Sequence, residues 1–513
     1  MSTAIAVAAS NQLAARAGLR LAEAGGNAVD SALAAVAVAM VCEPGICSPA
    51  GGAFITVASA GGSTPVTIDG NVEMPGRGLS PEARRRGLRE VTTDYGGNLV
   101  MTVGHGSVAT PGALAALDLA HRRYGRAPWR DVLAPAVEAA RDGFPLGAAS
   151  AYYLPYVHES VYGWHPDSYA ALHGPDGRLL GAGATVHVPH LADSMQLIAD
   201  QGADAFYRGD LAALIAADMA AHEGLLTATD LAAYEPVERP ALPVRCGAWQ
   251  LWTNPPPAIG GPVLAAMLTL MRDRPAGDWQ PEDIAELAAV QDCVLGYRIE
   301  HLDVTDDRLA AGLRLLELVG ADGVAALGGP ASTIHVSAVD GDGTACAVTS
   351  STGYGSGVMT PGTGLWLNNC LGEPELNRAG VHVLPPGERL PSNMAPTVGH
   401  TADGGVLAIG SPGADRITSA LLQVLLSFAN GGLDLGAAIG RPRLHVRRLG
   451  RDSVVEYEDD LELPPLPLPA RSHGPASMYF GGVGAALRDP DGTLCAEADP
   501  RRAGYAAVGP ATA

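Results

Sequence analysis

The residues best suited to chemistry lie in Thr333-Ile-His-Val-Ser337 and in the turn Gly410-Ser-Pro-Gly-Ala-Asp-Arg-Ile417. Thr333 opens the first of two alternating runs separated by Asp340-Gly-Asp-Gly343, a hairpin signal. With Gly341 and Asp342 as the loop, Asp340 faces Gly343, and counting back sets Thr333 opposite Ser350, with Ser351 alongside. A threonine heading a central strand beside two serine hydroxyls suits nucleophilic attack on a carbonyl. The same pattern describes an ordinary hairpin with hydroxyls on its solvent face, and local pattern alone favours that reading. The 410–417 turn feeds a helix, so its successive N–H groups can converge on a developing oxyanion. Taken alone, such turns are usually just helix starts.

Commoner machinery is missing. The chain has no G-x-S-x-G elbow, Walker loop, HExxH helix or complete GxGxxG after a strand, and Gly482-Val-Gly484 is too short a fragment to count. His187 and His190 sit on an extended segment whose alternation points them to opposite faces, so they read as surface residues and not as a ligand pair. The seven cysteines are an odd number without a CxxC pair; Cys42 and Cys47 are close in sequence but read as buried free thiols. Neither a cofactor nor a metal is expected.

The elements that must position these residues follow from periodicity. Residues 11–23 carry helical spacing with Ser10 or Asn11 as cap and Gly25-Gly26 as stop. Asn27 caps a second helix that is apolar all round and therefore interior. Residues 53–58 and 65–68 alternate around a Gly-Gly-Ser turn and predict a hairpin. The middle, about 110–327, reads as mostly helical, with segments at 114–124, 129–141, 190–201, 211–222 and 284–301. From Thr333 the texture turns β-rich, followed by a helix over 416–428 and a proline-rich surface loop over 463–469. Strands at both ends and helices between them predict one intertwined α/β core.

With 513 residues and 47% hydrophobic composition the chain can bury one large core or several ordinary ones. Its formal charge is −21 and every basic side chain except histidine is arginine, so phosphate backbones and anionic lipid are poor partners. The N-terminus lacks a charged region followed by a long apolar run, and residues 28–41 are too few to span a bilayer. A cytoplasmic location is the expectation.

Several short segments, in order, then identify a family. Gly25-Gly-Asn-Ala-Val-Asp30, Tyr124-Gly125, Ala140-Arg-Asp-Gly-Phe144, Phe206-Tyr-Arg-Gly209, Gly224-Leu-Leu-Thr-Ala-Thr-Asp-Leu-Ala-Ala-Tyr234 and Pro255-Pro-Pro-Ala-Ile-Gly-Gly261 are followed by Pro361-Gly-Thr-Gly364, Leu367-Asn-Asn369, Gly410-Ser-Pro-Gly413 and Asp499-Pro-Arg501. Along nearly its whole length the chain resembles the γ-glutamyltransferase family of N-terminal-nucleophile hydrolases. The resemblance implies a four-layer αββα sandwich and self-cleavage between Ser332 and Thr333. The products would be a large subunit, 1–332, and a small subunit, 333–513, forming a heterodimer or a higher oligomer built from it. It makes Thr333 the nucleophile, Ser351 the supporting hydroxyl, and the N–H groups of Gly413 and Ala414 the oxyanion donors. A freed α-amino group, with a pKa near ~7.7, can act as the base that a weakly nucleophilic hydroxyl needs.

The substrate contacts depart from the family pattern. Asp69-Gly70 is followed by Asn71 where the family has an arginine for the substrate α-carboxylate; asparagine has no bidentate cationic fork. The segment after Ser351 is short and lacks the family's asparagine; Glu373 replaces an aspartate; the paired serines become Ser392-Asn393. Together these changes point to a small-molecule substrate other than ordinary γ-glutamyl peptides. The alternatives are a C–C bond hydrolase of the kind found in alkylproline antibiotic pathways, a retained γ-glutamyl or cephalosporin-type acylase activity, and an unprocessed scaffold.

Overall fold

The computed structural model describes residues 2–94, 99–274, 277–321, 333–374, 376–449 and 452–509; Ser332 lies outside them. The strands that build the centre are, in chain order, β1 (Ile5–Ala9), β2 (Gly52–Ala58), β3 (Val66–Gly70), β4 (Val237–Pro240), β5 (Leu242–Cys246), β6 (Trp249–Thr253), β7 (Ile334–Asp340), β8 (Ala345–Ser351), β9 (Thr397–His400), β10 (Val406–Gly410), β11 (Gly484–Arg488), β12 (Leu494–Ala498) and β13 (Tyr505–Gly509). They form a seven-stranded sheet in the order β13-β1-β7-β8-β2-β3-β4 and a six-stranded sheet in the order β12-β11-β10-β9-β6-β5. Helices α1 (Gln12–Glu23), α2 (Ala28–Cys42) and α3 (Ala113–Tyr124) cover the first sheet; α4 (Gly260–Leu270) packs on β5, and α5 (Arg416–Leu425) packs on α4 and β10. The result is the four-layer αββα sandwich. Among the described residues no helix is long and apolar enough to cross a membrane.

Local chemistry explains the covering helices. Asn11 caps α1, its side chain accepting from the Ala14 N–H at 2.9 Å, and Gly25 leaves the helix at φ +93°. Asn27 and Asp30 form a reciprocal capping box at the start of α2, all of whose residues are buried. Asp30 also accepts from the Arg126 and Ala127 N–H groups, while Asn27 donates to the Tyr124 carbonyl at 2.7 Å. A side chain at Gly125 would come within 2.7 Å of the Asp30 carboxylate, so the two early motifs are two halves of one contact.

Between the sheets the residues are small: Ala6, Val339, Ala345, Ala347, Val398, Ala408 and Ala486. Small side chains bring the two backbones close, which leaves little room for anything larger. His335 is the exception. It projects from β7 into this layer with 3% exposure, Nδ1 2.8 Å from Thr349 Oγ1 and Nε2 2.8 Å from Ser337 Oγ. Because Ser337 Oγ donates to the Gly484 carbonyl, Nε2–H donates to Ser337 and Nδ1 accepts from Thr349. Burial pushes the imidazole down to about 3, so it is neutral near pH 7. Space for the ring comes from Gly410, where a β-carbon would lie 2.2 Å from His335 Cε1.

Two expectations need correction. The turn between β7 and β8 holds three residues, not two: Val339 pairs with Ala345 and Ile334 with Ser350. Gly343, at φ +92°, enters the loop, and the Asp340 carboxylate accepts the Thr344 N–H at 2.9 Å. Continuing that register by one residue places Thr333 opposite Ser351, not Ser350. The helical middle also contains β4, β5 and β6. β4 and β5 lie at sheet edges, where Pro240 and Pro243 are tolerated, and their short proline-bearing runs carry little strand signal.

The Gly410 contact predicts that Gly410→Ala will destabilise the fold by ~2 kcal/mol or more, because the added methyl cannot displace a ring held by two hydrogen bonds. Denaturant unfolding of the variant beside wild type checks this, and an unchanged midpoint would contradict the packing described.

Candidate active site

Thr333 immediately precedes β7 and is 4% exposed. Alternation along the strand gives Thr333, His335 and Ser337 the same face, the one turned toward the second sheet. The next turn of that sheet after Gly410 is therefore what Thr333 meets. One cleft is lined by Thr333, Ser351, Ala414, Asn71, Glu373, Ser392 and Asn393 together. Gly413 adjoins Ala414 without itself reaching the lining.

The turn at Gly413 and Ala414 has unusual backbone. Gly413 has φ +122° and a side chain there would meet Gly481 Cα at 2.8 Å; Ala414 has φ +67°, a conformation glycine adopts more readily. The carbonyls of Gly413 and Ala414 accept from the N–H groups of Arg416 and Ile417, which start α5. Their own N–H groups find no acceptor among the described residues. Ser411 Oγ, accepting from the Gly482 N–H at 3.1 Å, ties the turn to the strand beside it. Two adjacent unpaired donors beside Thr333 form the arrangement needed to stabilise negative charge on an attacked carbonyl.

Ser351 ends β8, and its hydroxyl accepts the Gly353 N–H at 3.1 Å. Ser392 and Asn393 are placed by the start of α4. The Ile259 and Gly260 N–H groups donate to the Ser392 carbonyl at 3.0 Å, and a side chain at Gly260 would come within 2.2 Å of the Asn393 carbonyl. Asn393 is 5% exposed, yet neither its Oδ1 nor its Nδ2 has a hydrogen-bond partner. A buried amide left unpaired costs ~1–3 kcal/mol, so this group points to a ligand. Glu373, 1% exposed, is held by the loop that Asn368 and Asn369 organise: Asn368 Oδ1 accepts from the Ala109 and Cys370 N–H groups, and Asn369 Oδ1 from Tyr354.

Asn71 follows β3 and its Nδ2 donates to the Leu390 carbonyl at 2.6 Å, leaving Oδ1 as an acceptor. Arg389 lies close by but serves the backbone: it donates to the carbonyls of Asn71 and Glu235 and to the Tyr234 hydroxyl, and it faces Asp69 and Glu73 at 3.7 and 3.6 Å. Burial disfavours its charge, but Tyr234, Asp69 and Glu73 outweigh burial and the net shift is upward. No arginine lines the cleft among the described residues.

A second cleft reaches Thr333 from the other side, and its lining includes Glu43, His335 and Arg502. Sequence reasoning passed over Glu43, although a carboxylate directly ending an all-apolar helix was the available signal. Asn11 Nδ2 and Ser150 Oγ donate to Glu43 at 2.7 and 3.2 Å. Burial nevertheless raises the carboxyl to about 7, against those hydrogen bonds and Arg502. His187 and His190 are both exposed, and Cys42 and Cys47 are buried free thiols.

Glu43 makes stability pH-dependent. Its folded value lies above the unfolded value of 4.5, so its stabilising contribution is complete below about 4.5 and is lost as pH rises through about 7. The loss amounts to ~3 kcal/mol. Glu43→Gln should flatten this part of the stability profile between pH 5 and 8; unfolding curves across that range test it, and an unaltered slope would count against it.

Comparison with known proteins agrees with this architecture. The family model described as Gamma-glutamyltranspeptidase matches residues 14–300 and 316–509. A glutathione hydrolase proenzyme from Escherichia coli is 30% identical, covering 96% of this chain and 90% of its own length. An acylase ACY 1 proenzyme from a Pseudomonas species is 28% identical, covering 95% and 90%. The crystal structure of a cephalosporin acylase from Bacillus halodurans superimposes with a TM-score of 0.78 at 25% identity, covering 99% of this chain and 96% of that one. The chain belongs to the γ-glutamyltranspeptidase family, whose hydrolase and transferase chemistry it shares.

Proposed function

We propose that the chain cuts itself between Ser332 and Thr333 and that Thr333 then acts as an N-terminal nucleophile on a small substrate lacking a γ-glutamyl carboxylate. The observation that carries this reading is the meeting, in one cleft, of Thr333, the unpaired N–H groups beside it and the polar side chains Asn71, Glu373 and Asn393. The freed α-amino group takes the proton from the Thr333 hydroxyl as its oxygen attacks the carbonyl. The N–H groups of Gly413 and Ala414 hold the oxyanion and the Ser351 hydroxyl supports the nucleophile; collapse breaks the C–N bond, the α-ammonium returns its proton to the leaving amine, and the acyl-enzyme is then released by water or another amine. Residues 1–332 and 333–513 remain together as a heterodimer, since β7 and β8 lie between β1 and β2 in one sheet. The proenzyme names of the relatives support processing.

The substrate reading rests on charge. Glu373 brings a carboxylate to the lining, the lining has no arginine, and the donors of Arg389 are spent on backbone and on Tyr234. A carboxylate entering this cleft would meet no guanidinium from the lining, whereas a neutral or amine-bearing group needs none. The same argument accommodates a ketone whose C–C bond is cleaved with loss of a stabilised carbanion, which is the second reading.

Denaturing electrophoresis tests processing. Wild type should give fragments 1–332 and 333–513, and Thr333→Ala one full-length band; a single wild-type band overturns self-cleavage. On the processed enzyme, anilides of neutral acyl groups should turn over faster than the γ-glutamyl anilide, and the reverse order would refute the substrate reading. Ketone turnover without anilide turnover would select C–C cleavage. Asn393→Ala should process normally and lose ~10-fold in kcat/KM toward the preferred substrate, the worth of one buried hydrogen bond.

A further inference from the structure

Behind the turn that carries the Gly413 and Ala414 N–H groups lies a buried polar cluster. Asp415, the residue directly before α5, is fully buried, and its side chain makes no cap to the helix it precedes. An aspartate at that position ordinarily accepts from the second or third N–H of the helix. Here its two oxygens are turned elsewhere: Oδ1 faces Arg416 Nη1 at 3.2 Å and Oδ2 faces His445 Nε2 at 3.4 Å. His445 lies on the strand Leu444–Leu449, and its Nδ1 is 2.8 Å from Ser419 Oγ inside α5. Burial disfavours charge on Asp415, but His445 and Arg416 outweigh burial and hold its carboxyl below the usual value. Asp415, His445 and Ser419 are the residue types of a hydrolytic triad. Each is at most 1% exposed and none lines either cleft at Thr333, so no substrate reaches them.

The backbone beside Asp415 explains what such a contact is for. Ala414, at φ +67°, sits in a left-handed conformation that costs a residue with a β-carbon ~1–2 kcal/mol and persists only where its surroundings over-determine it. The φ of Ala414 turns the peptide plane that carries its N–H, so relaxation there would swing the donor away from Thr333. On the side before Gly413 the turn is tied by Ser411 Oγ, which accepts the Gly482 N–H at 3.1 Å. On the side after Ala414, Arg416 Nε donates to the Tyr479 carbonyl at 2.9 Å, and its guanidinium lies over the Tyr479 ring, 4.6 Å from the centroid. The Asp415–His445 contact adds a tie from the turn itself to a strand packed on the other face of α5.

We infer that Asp415 and His445 are positioning residues for the acyl-transfer chemistry: their contact holds the Ala414 N–H in the orientation that stabilises the oxyanion. The inference rests on the reading of Gly413 and Ala414 as oxyanion donors. Neither Asp415 nor His445 touches substrate; both act through the backbone of the turn. Because the oxyanion exists only once the carbonyl has been attacked, loss of the anchor is felt in kcat and not in substrate binding.

The test measures kcat and KM of the processed protein toward the γ-glutamyl and neutral acyl nitroanilides, with the substrate that wild type turns over fastest. Asp415→Ala should lower kcat ~10- to 100-fold with KM within ~2-fold of wild type, a share of what one oxyanion donor is worth. Asp415→Asn keeps the volume and an oxygen for Nε2, and should recover most of that loss. At position 445 two amides that differ by one methylene separate anchoring from packing. His445→Gln reaches Asp415 as Nε2 does and should hold kcat within ~3-fold of wild type, whereas His445→Asn reaches toward Ser419 alone and should resemble Asp415→Ala. The double variant Asp415→Ala/His445→Asn should be no worse than the worse single variant, since both remove one contact. Should Asp415→Ala fail to fold, the comparison of glutamine with asparagine at 445 decides. Equal kcat in those two variants, additive losses in the double variant, or a loss confined to KM overturns the anchor and leaves the oxyanion reading standing. A wild type that neither cuts itself nor turns over any anilide removes the oxyanion reading, and the anchor with it.

Discussion

A neutral imidazole wedged between two sheets is the constraint around which this molecule is organised. His335 fills a gap opened by Gly410 and is pinned by Thr349 and Ser337, which in turn is tied to the Gly484 carbonyl of the other sheet. The ring thus fixes how β7 sits over β10 and β11. Thr333 lies two residues before His335 on the same face, and the Gly413-Ala414 turn lies just beyond Gly410. Their relation is set by a hydrogen-bonded group held in a close-packed interior, where small displacements are costly.

The arrangement of charge follows a similar economy of space. Several basic side chains are engaged inside the molecule: Arg298 with Asp303, Arg443 with Asp499, Arg501 with Glu458, and Arg389 beneath Asn71. Each buried guanidinium is matched by carboxylates or carbonyls, as burial of an ion requires. What reaches the cleft is an anionic and amide lining, with Glu373 on one side and the unpaired Asn393 on another. The lining thus offers no guanidinium, while the neighbouring N–H groups of Gly413 and Ala414 have no acceptor among the described residues.

Much of the scaffold was legible in the residues. The caps at Asn11 and Asn27, the apolar character of α2 and the hairpin of β2 and β3 are local features that a sequence states directly. The β4 and β5 strands were hidden because they lie at sheet edges, carry proline and depend on neighbours for their pairing. The turn after β7 was misread by one residue because a glycine next to a two-residue loop can belong to the strand or to the loop. Only the Asp340 carboxylate, reaching over to the Thr344 N–H, decides between them.

The sequence by itself determined the local alphabet of this protein: which helices start where, which strand Thr333 precedes, and that an uncharged asparagine follows Asp69-Gly70. Those are properties of adjacent residues and of side-chain chemistry. Tertiary structure alone decided that Ser351 and not Ser350 stands opposite Thr333, that Arg389 spends its donors on backbone, and that Asn393 stays unpaired. It alone gathered His105 with Asp218 and His222, and brought Glu43 to a cleft that Thr333 also lines. The physical reason is the same in each case. Register, donor consumption and burial depend on contacts between residues distant along the chain, and no local pattern encodes which partner will be there.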